Sequence, residues 1–247
     1  MKKLKIISLI IALLTVALPA RAEVCSFYIM RKKGHERPVI DPCFSFMKDH
    51  EAYYIGPDEK VIYLTFDAGY ENGNIEKIAN VLKKHNVKAA FFVLDNIIRR
   101  NTDLIVRLAD EGHLICSHTS RHKDCTKLSQ EEFEKEMTAL EGVYTELTGK
   151  TLSRFFRPPE GRFNEKTLIY AENLGYKTVM WSFAYADWDN GRQPGKEYAE
   201  KLILDNTHNG EIILLHPTSQ TNAEILDGLL NEWESSGYRF GTLDELI

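Results

Sequence analysis

The sequence predicts an α/β fold built from parallel strands. Seven short runs rich in β-branched and aromatic residues alternate with six longer amphipathic runs, which is the order of consecutive βα units. Polar residues follow several of these strands, and loops from many parallel strands meet at one face when the sheet closes into a barrel. The predicted strands cover residues 61–66, 88–94, 113–117, 154–157, 177–182, 211–216 and 238–240.

The predicted helices lie between these strands and carry local signals for their ends. Ser129, followed three residues later by Glu132, forms a capping box at the start of the third helix. Glycines stand where the later helices should end, as helix termination favours. These glycines are Gly112, Gly149, Gly175, Gly210 and Gly237. The helices cover residues 73–85, 101–111, 129–147, 164–174, 196–208 and 220–236.

The N-terminus has the pattern of a secretory signal peptide. A lysine-rich start precedes an apolar run from Ile6 to Ala20, and Ala20-Arg21-Ala22 offers small residues for cleavage before Glu23. An uncleaved anchor is the alternative, although the run is short for a membrane span of about 20 residues. We expect residues 1–22 to be removed, and the protein to be secreted or held in the cell envelope without stable membrane insertion.

Length and charge narrow the possible functions. A chain of 247 residues fits one large domain, and we expect a monomer. The formal charge is −5, and loss of residues 1–22 would remove four basic residues and no acidic one, leaving −9. An acidic exported protein without a long basic run is not expected to bind nucleic acid or a membrane surface.

Residues 23–60 predict an irregular N-terminal arm. They contain Pro38, Pro42, Gly56 and Pro57 and show no sustained periodicity, so no long helix or strand is expected there. The regular alternation of strands and helices begins only at Val61.

The cysteines leave the redox state open. Four of them follow the predicted signal peptide, and an even number in an exported chain permits two disulfides. Proximity makes Cys25 with Cys43 and Cys116 with Cys125 the simplest pairs, and free thiols are equally compatible with the sequence.

The clearest candidate for a catalytic residue is Asp67. It ends an apolar strand and enters a glycine-bearing turn in the run VIYLTFDAGYENG, residues 61–73. A strand that ends in this way presents a carboxylate at its carboxyl end. The alternative role for Asp67 is that of a turn or N-cap residue.

His118 and His122 are candidate metal ligands. They are four residues apart in SHTSRH, and a helical turn would place both imidazoles on one side, a spacing that suits a divalent metal. Two solvated or core histidines are one alternative. A closed structural zinc site that also uses Cys116 and Cys125 is another, and it would leave no open position for catalysis.

Three further motifs complete the set. Arg157 lies in RFFRPPEGR, Asp187 and Trp188 lie in YADWDNG, and His216 follows the apolar run IILL. A surface arginine before a proline turn and a hydrogen-bonded core histidine are the alternatives for Arg157 and His216.

In their order and spacing, the five motifs resemble those of the polysaccharide deacetylase family, also called the NodB-homology family. The resemblance implies a distorted seven-stranded (β/α) barrel with parallel strands, and a catalytic domain over residues 61–247. It implies that Asp67 is the general base, that Arg157 holds it, and that His216 is the general acid that protonates the leaving amine. Asp187 is the candidate that tunes His216.

The same resemblance assigns a cofactor, and the side chains near the motifs suggest substrate contacts. His118 and His122 would bind a divalent metal cation, with zinc the first candidate. Independently of the resemblance, we predict that Tyr70, Pro158 and Trp188 contact a sugar substrate; the rings of Tyr70 and Trp188 offer flat apolar faces with a polar rim.

Two alanines depart from the family pattern. Ala68 stands where the family commonly has a second, metal-binding Asp, and Ala184 stands where it often has another acid. The GYENG segment, at residues 69–73, is similar to that of the delta-lactam-biosynthetic de-N-acetylases, a subgroup that also lacks the second Asp.

The sequence thus predicts an exported, metal-dependent hydrolase. By resemblance to the subgroup, it would remove the N-acetyl group from N-acetylmuramic acid in peptidoglycan, leading to muramic delta-lactam in the spore cortex during sporulation. One alternative is a deacetylase of N-acetylglucosamine in peptidoglycan or chitin oligomers. A second alternative is a non-catalytic glycan-binding relative, which Ala68 and Ala184 would explain.

Overall fold

The computed structural model describes residues 25–246, so the predicted signal peptide at residues 1–22 lies outside the described residues. Between residues 25 and 246, no helix combines the length and apolar character needed to cross a membrane.

The described residues form short strands that alternate with helices. The strands are β1 (Cys25–Ser26), β2 (Ala52–Tyr53), β3 (Val61–Ala68), β4 (Ala90–Val93), β5 (Leu114–Ser117), β6 (Phe155–Phe156), β7 (Arg162–Phe163), β8 (Lys177–Val179), β9 (Glu211–Leu215) and β10 (Arg239–Phe240). The α-helices are α1 (Asn74–Lys84), α2 (Asp95–Arg100), α3 (Thr102–Asp110), α4 (Gln130–Thr148), α5 (Glu165–Asn173), α6 (Lys196–Asn206) and α7 (Gln220–Ser235).

The sheet is a distorted barrel of parallel strands, which confirms the predicted fold. Strands β3, β4, β5, β6 and β8 follow one another in the sheet, and β9 and β10 both pair in parallel with β3. Beyond β8, Phe183 forms a parallel bridge to Ile213 of β9, which closes the circle. The seven predicted strands correspond to β3, β4, β5, β6, β8, β9 and β10, and the six predicted helices correspond to α1 and α3 through α7.

The alternation of side chains along β3 directs Asp67 toward the inside of the barrel. Ile62, Leu64 and Phe66 belong to the apolar layer between the strands and the helices, whereas Val61 and Tyr63 belong to a cluster formed mainly by strand residues inside the barrel. Successive side chains of a strand point to opposite faces. Asp67 therefore shares the inward face with Val61 and Tyr63, at the carboxyl end of the strand.

The N-terminal arm is more regular than predicted. Its strand β1 pairs antiparallel with β7, and β2 extends the barrel sheet by pairing in parallel with β8. A 3₁₀ helix at Pro42–Asp49 lies between them, with Asp41 as its N-cap. Phe27, Phe44 and Met47 of the arm pack with barrel residues. Two-residue strands leave no alternating pattern, which is why the sequence predicted an irregular segment.

Two of the cysteines lie apart from each other. Cys116 and Cys125 are buried free thiols that belong to different apolar clusters, so they form no disulfide. Burial raises the pKa of both thiols. The Cys25 side chain lies outside the described side chains, and its pairing with Cys43 stays a prediction.

Candidate active site

The five motifs meet at one cleft at the carboxyl end of the barrel strands. The cleft has a volume of about 660 Å³, which is within the range of small-molecule sites. Its walls include Asp67, Gly69, Tyr70, Leu94, His118, His122, Glu160, Gly161, Trp181, Ala184, Tyr185, Trp188, Leu214, His216 and Thr218.

Arg157 holds Asp67 on one side of the cleft. Its Nη1 donates to Asp67 Oδ1 at 2.9 Å, and Asp67 Oδ2 lies 3.7 Å from Nε2 of His118. Burial alone would raise the pKa of Asp67, but the charges of Arg157, His118 and His216 outweigh it and hold that pKa below its usual value. Asp67 is therefore ionised at neutral pH, as a general base must be.

Arg157 itself is fixed by the barrel interior. The side chain is fully buried, and its remaining donors bond to Val179 O, Met180 O and Thr65 Oγ1, each at 2.9 Å. The guanidinium also lies 4.2 Å from the ring centre of Phe92. Because all three guanidinium nitrogens are engaged, with four hydrogen bonds in all, the orientation in which Arg157 meets Asp67 is tightly restricted.

His118 presents an unprotonated nitrogen to the cleft. Its Nδ1 lies 2.9 Å from the carbonyl oxygen of Arg157, an acceptor that requires Nδ1 to carry the proton. The pKa of His118 falls to about 4, because burial outweighs the charge of Asp67. A neutral ring with Nε2 free is the form that binds a metal.

His122 lies in a loop, and the predicted helical turn is wrong. His122 and Thr119 have φ angles of 56° and 68°, which an α-helix does not permit. The fold still brings the two rings together, with centroids 5.0 Å apart. Glu136 of α4 stabilises this loop by accepting from Arg121 N at 2.9 Å and pairing with Lys123 at 2.8 Å.

His118 and His122 place two imidazoles side by side at the cleft, and imidazole is a common ligand of divalent cations. Within residues 25–246, no three His, Cys, Asp or Glu side chains are grouped so that they could hold a metal ion. That finding also removes the closed zinc site with Cys116 and Cys125. Ala68 is buried in the apolar layer outside the barrel and offers no ligand.

His216 and Asp187 face the cleft from the other side. His216 Nδ1 lies 2.7 Å from Asp187 Oδ1, and the backbone N–H of His216 donates to Asp187 Oδ2 at 2.8 Å. Burial would lower the pKa of His216, but the hydrogen bond and charge of Asp187, with a smaller effect of Asp67, raise it above its usual 6.5. His216 thus carries a proton further into the neutral range than an ordinary histidine.

The predicted substrate contacts occupy different places. Tyr70 and Trp188 line the cleft and are 46% and 62% exposed, as rings that meet a ligand would be. Pro158 is buried and does not line the cleft, so it offers no face to a sugar. Its neighbours Glu160 and Gly161 reach the wall instead.

Sequence reasoning missed two residues that support the site. Asn222 donates to Asp187 Oδ2 at 2.6 Å, and Glu136 holds the His122 loop. Neither follows a strand or belongs to a motif. The one available signal was the Ser219-to-Asn222 spacing, which is typical of a helix start.

Comparison with known proteins identifies relatives with the same architecture. The sequence model for the family described as "Polysaccharide deacetylase" matches residues 55–179. The peptidoglycan-N-acetylmuramic acid deacetylase PdaA of Bacillus subtilis is 40% identical over 204 residues, which cover 82% of this chain and 78% of the relative. A solved structure of PdaA, described as a family 4 carbohydrate esterase, covers 91% of this chain and 97% of its own, with a TM-score of 0.88 and 38% identity.

Two further relatives differ in function. A peptidoglycan-N-acetylglucosamine deacetylase of Bacillus cereus is 30% identical over 225 residues, covering 89% of this chain and 80% of that protein. The structure of a pseudoenzyme of the same esterase family from Bacillus anthracis has a TM-score of 0.73 and 26% identity, over 79% of this chain and 68% of that one.

Proposed function

The chain belongs to the polysaccharide deacetylase family, hydrolases that cleave the amide bond of N-acetyl sugars, and we propose that its substrate is N-acetylmuramic acid in peptidoglycan. The observation that carries the amide hydrolysis is the pair Asp67 and His216, which face one cleft with pKa values moved in opposite directions; this pair would serve either sugar. The similarity to PdaA supports the choice of sugar. Export of the chain from Glu23 onward is part of the proposal.

The opposed pKa values support a division of labour between base and acid. Asp67, ionised, removes a proton from the water that attacks the acetamide carbon. His216, protonated, donates its Nε2 proton to the nitrogen as the C–N bond breaks, since its Nδ1 is occupied by Asp187. Acetate and a free amine are the products, and Asp67 and His216 exchange protons with solvent before the next cycle.

His118 and His122 are the residues that would hold a divalent cation, with zinc the first candidate. Such a cation, when bound, supplies a Lewis acid that polarises the amide carbonyl. The Nδ1 contact of His118 with the Arg157 carbonyl supports this role, because it orients Nε2 toward the cleft. With two protein ligands, water and substrate would complete the coordination, so binding should be weak compared with sites that have a third residue.

The product of muramic acid deacetylation has a second reactive group. The lactyl carboxyl of the same sugar, once free of its peptide, lies near the new amine, and loss of water between the two gives muramic delta-lactam. We therefore place this reaction before lactam formation in the spore cortex.

A second candidate is deacetylation of N-acetylglucosamine units. It is favoured by the similarity to the Bacillus cereus enzyme, and it would use the same acid and base. The third possibility, a glycan-binding pseudoenzyme, is disfavoured by the intact contacts among Asp67, Arg157, Asp187 and His216.

Acetate release tests these alternatives. The chain from Glu23 onward is incubated with Zn²⁺ and either peptide-free muramic acid glycan strands or N-acetylglucosamine oligomers, beside an Asp67→Asn variant. Release from the muramic strands alone, lost in the variant, is the expected result. Release from the oligomers alone would replace the proposal with the second candidate, and glycan binding without any release would indicate a pseudoenzyme.

A further inference from the structure

Asn222 lies behind the acid side of the cleft and contacts both residues there. It is the third residue of α7 and is 2% exposed. Its Nδ2 donates to Asp187 Oδ2 at 2.6 Å and to the carbonyl oxygen of His216 at 3.1 Å. One amide group therefore uses both of its hydrogens to connect the two residues.

The orientation of this amide is itself determined by its surroundings. The hydroxyl of Tyr185 donates to Asn222 Oδ1, so the oxygen faces Tyr185 and the nitrogen faces Asp187. Burial raises the pKa of Tyr185, which keeps its hydroxyl a donor. The backbone N–H of Asn222 donates to Ser219 Oγ at 3.1 Å, at the start of α7. The side chain of Asn222 is thus held at the N-terminus of α7.

Asp187 depends on these donors because it is completely buried. Its Oδ1 accepts from the ring of His216, and its Oδ2 accepts from the backbone of His216 and from Asn222. Two of these three donors belong to His216, and the third belongs to Asn222. Without Asn222, the carboxylate and the histidine could move together as one unit.

We propose that Asn222 is a positioning residue for the protonation step: it fixes Asp187, and through Asp187 it fixes the His216 ring so that Nε2 faces the leaving nitrogen. The inference rests on the proposed deacetylation. Asp187 holds the imidazole of His216 as the third member of a catalytic triad holds its histidine, and Asn222 fixes that carboxylate one contact further from the substrate. Here the chain of contacts runs from Tyr185 through Asn222 and Asp187 to His216.

Steady-state kinetics on Asn222→Ala test the role. A hydrogen bond to a charged group corresponds to about a 10- to 100-fold change in rate, so kcat should fall by that factor while KM stays within about twofold. A mobile Asp187 stabilises the imidazolium less, so the alkaline limb of the kcat profile should move to lower pH. The other charged groups that act on His216 are Asp67 and Arg157, and Asn222→Ala leaves both in place.

Two companion variants separate positioning from stability. Tyr185→Phe removes only the hydroxyl that orients the amide, and it should move kcat and the alkaline limb in the same direction by a smaller amount. Asn206→Ala removes another buried asparagine, whose Nδ2 donates to Leu202 O at 2.8 Å at the end of α6. Asn206→Ala should lower the melting temperature without moving the pH profile.

The outcomes decide between the two roles. If Asn222→Ala and Tyr185→Phe change the melting temperature but leave kcat and its pH profile like those of Asn206→Ala, the positioning role is overturned. If Asn222→Ala does not fold, Tyr185→Phe decides alone. A wild-type chain that releases no acetate from either glycan would instead contradict the proposed function, so the two failures are distinguishable.

Discussion

The two sides of the cleft each contain a buried carboxylate, and they are held in opposite ways. Asp67 is 10% exposed at its side chain and meets the guanidinium of Arg157, whereas Asp187 is fully buried and meets the imidazole of His216 and the amide of Asn222. Arginine stays charged at every accessible pH, but histidine titrates near neutrality. The partner, and not the carboxylate, therefore decides which group on each side exchanges a proton.

The difference supports the proposed roles of a base and an acid in one cleft. On the Asp67 side the permanent cation lowers the pKa of the carboxyl group, so the carboxylate is free to accept a proton. On the Asp187 side the carboxylate raises the pKa of the histidine, so the histidine is ready to give one. Pairs whose pKa values are pushed apart in this way are typical of acid–base sites.

Removal of the permanent cation should have the largest effect. Arg157→Met leaves Asp67 buried without its partner, and we expect the free energy of unfolding to fall by about 3–5 kcal/mol, measured by urea denaturation. Arg154→Met is the matched control, because the Arg154 side chain is 49% exposed in its pair with Glu141. An exposed pair contributes about 0–1 kcal/mol. Equal losses in the two variants would contradict the buried role of Arg157.

Loss of the base alone should abolish most activity without loss of the fold. Asp67→Asn keeps the volume of the side chain but cannot accept the proton, so kcat should fall by about 10²- to 10⁴-fold in the acetate-release assay. Asp189→Asn, two residues beyond Asp187 in an exposed loop, is the control and should stay near wild type. A small effect of Asp67→Asn would mean that another group removes the proton.

The pH profile should report both sides separately. The base must be ionised and the acid protonated for the reaction. The acid limb of kcat/KM should therefore have a pKa below 3.8, the usual value for Asp, and the alkaline limb a pKa above 6.5, the usual value for His. Asp187→Asn removes the charge that raises the pKa of His216, so the alkaline limb should move to lower pH while the acid limb stays. Movement of the acid limb instead would reverse the assignment of the two sides.

Substitution of Trp188, at the exposed edge of the cleft, should have the smallest effect. Trp188 is exposed and lies edge-on to His216, with ring centres 6.2 Å apart. Trp188→Ala removes the contact of this ring with the sugar, which we expect to be worth about 0.5–1.5 kcal/mol. KM should therefore rise by about 2- to 12-fold, and kcat should change little. Tyr198→Ala removes a ring of similar exposure on α6 and should leave KM unchanged. A fall in kcat without a rise in KM would mean that Trp188 acts in the chemical step and not in substrate binding.

The sequence was informative wherever a functional residue follows a strand. Asp67, His118, Arg157 and His216 each directly follow or end a β-rich run, and parallel strands gather such residues at one rim, so their meeting could be predicted. The positions between motifs were harder. The loop of His118 and His122 was mistaken for a helical turn because spacing does not reveal positive φ angles.

Residues that act through other residues left almost no signal. Glu136 and Asn222 lie on helices, 14 and 6 residues beyond the motif residues they support, and their contacts depend on how those helices pack. Pro158 is the converse case, because it lies within a motif yet is buried and does not line the cleft. The short strands of the arm could not be predicted, since two residues show no period.

The position of β3 has a consequence for how the chain becomes active. This strand pairs with β4, about 25 residues away, but also with β9, where Phe66 pairs with Leu215. Contacts across such long sequence separations form slowly and need both segments at once. A nascent chain that has not yet released residues 211–215 cannot close the barrel, and it also lacks the histidine beyond them. The active site therefore cannot form until residues 211–216 have been synthesised and β9 has paired with β3.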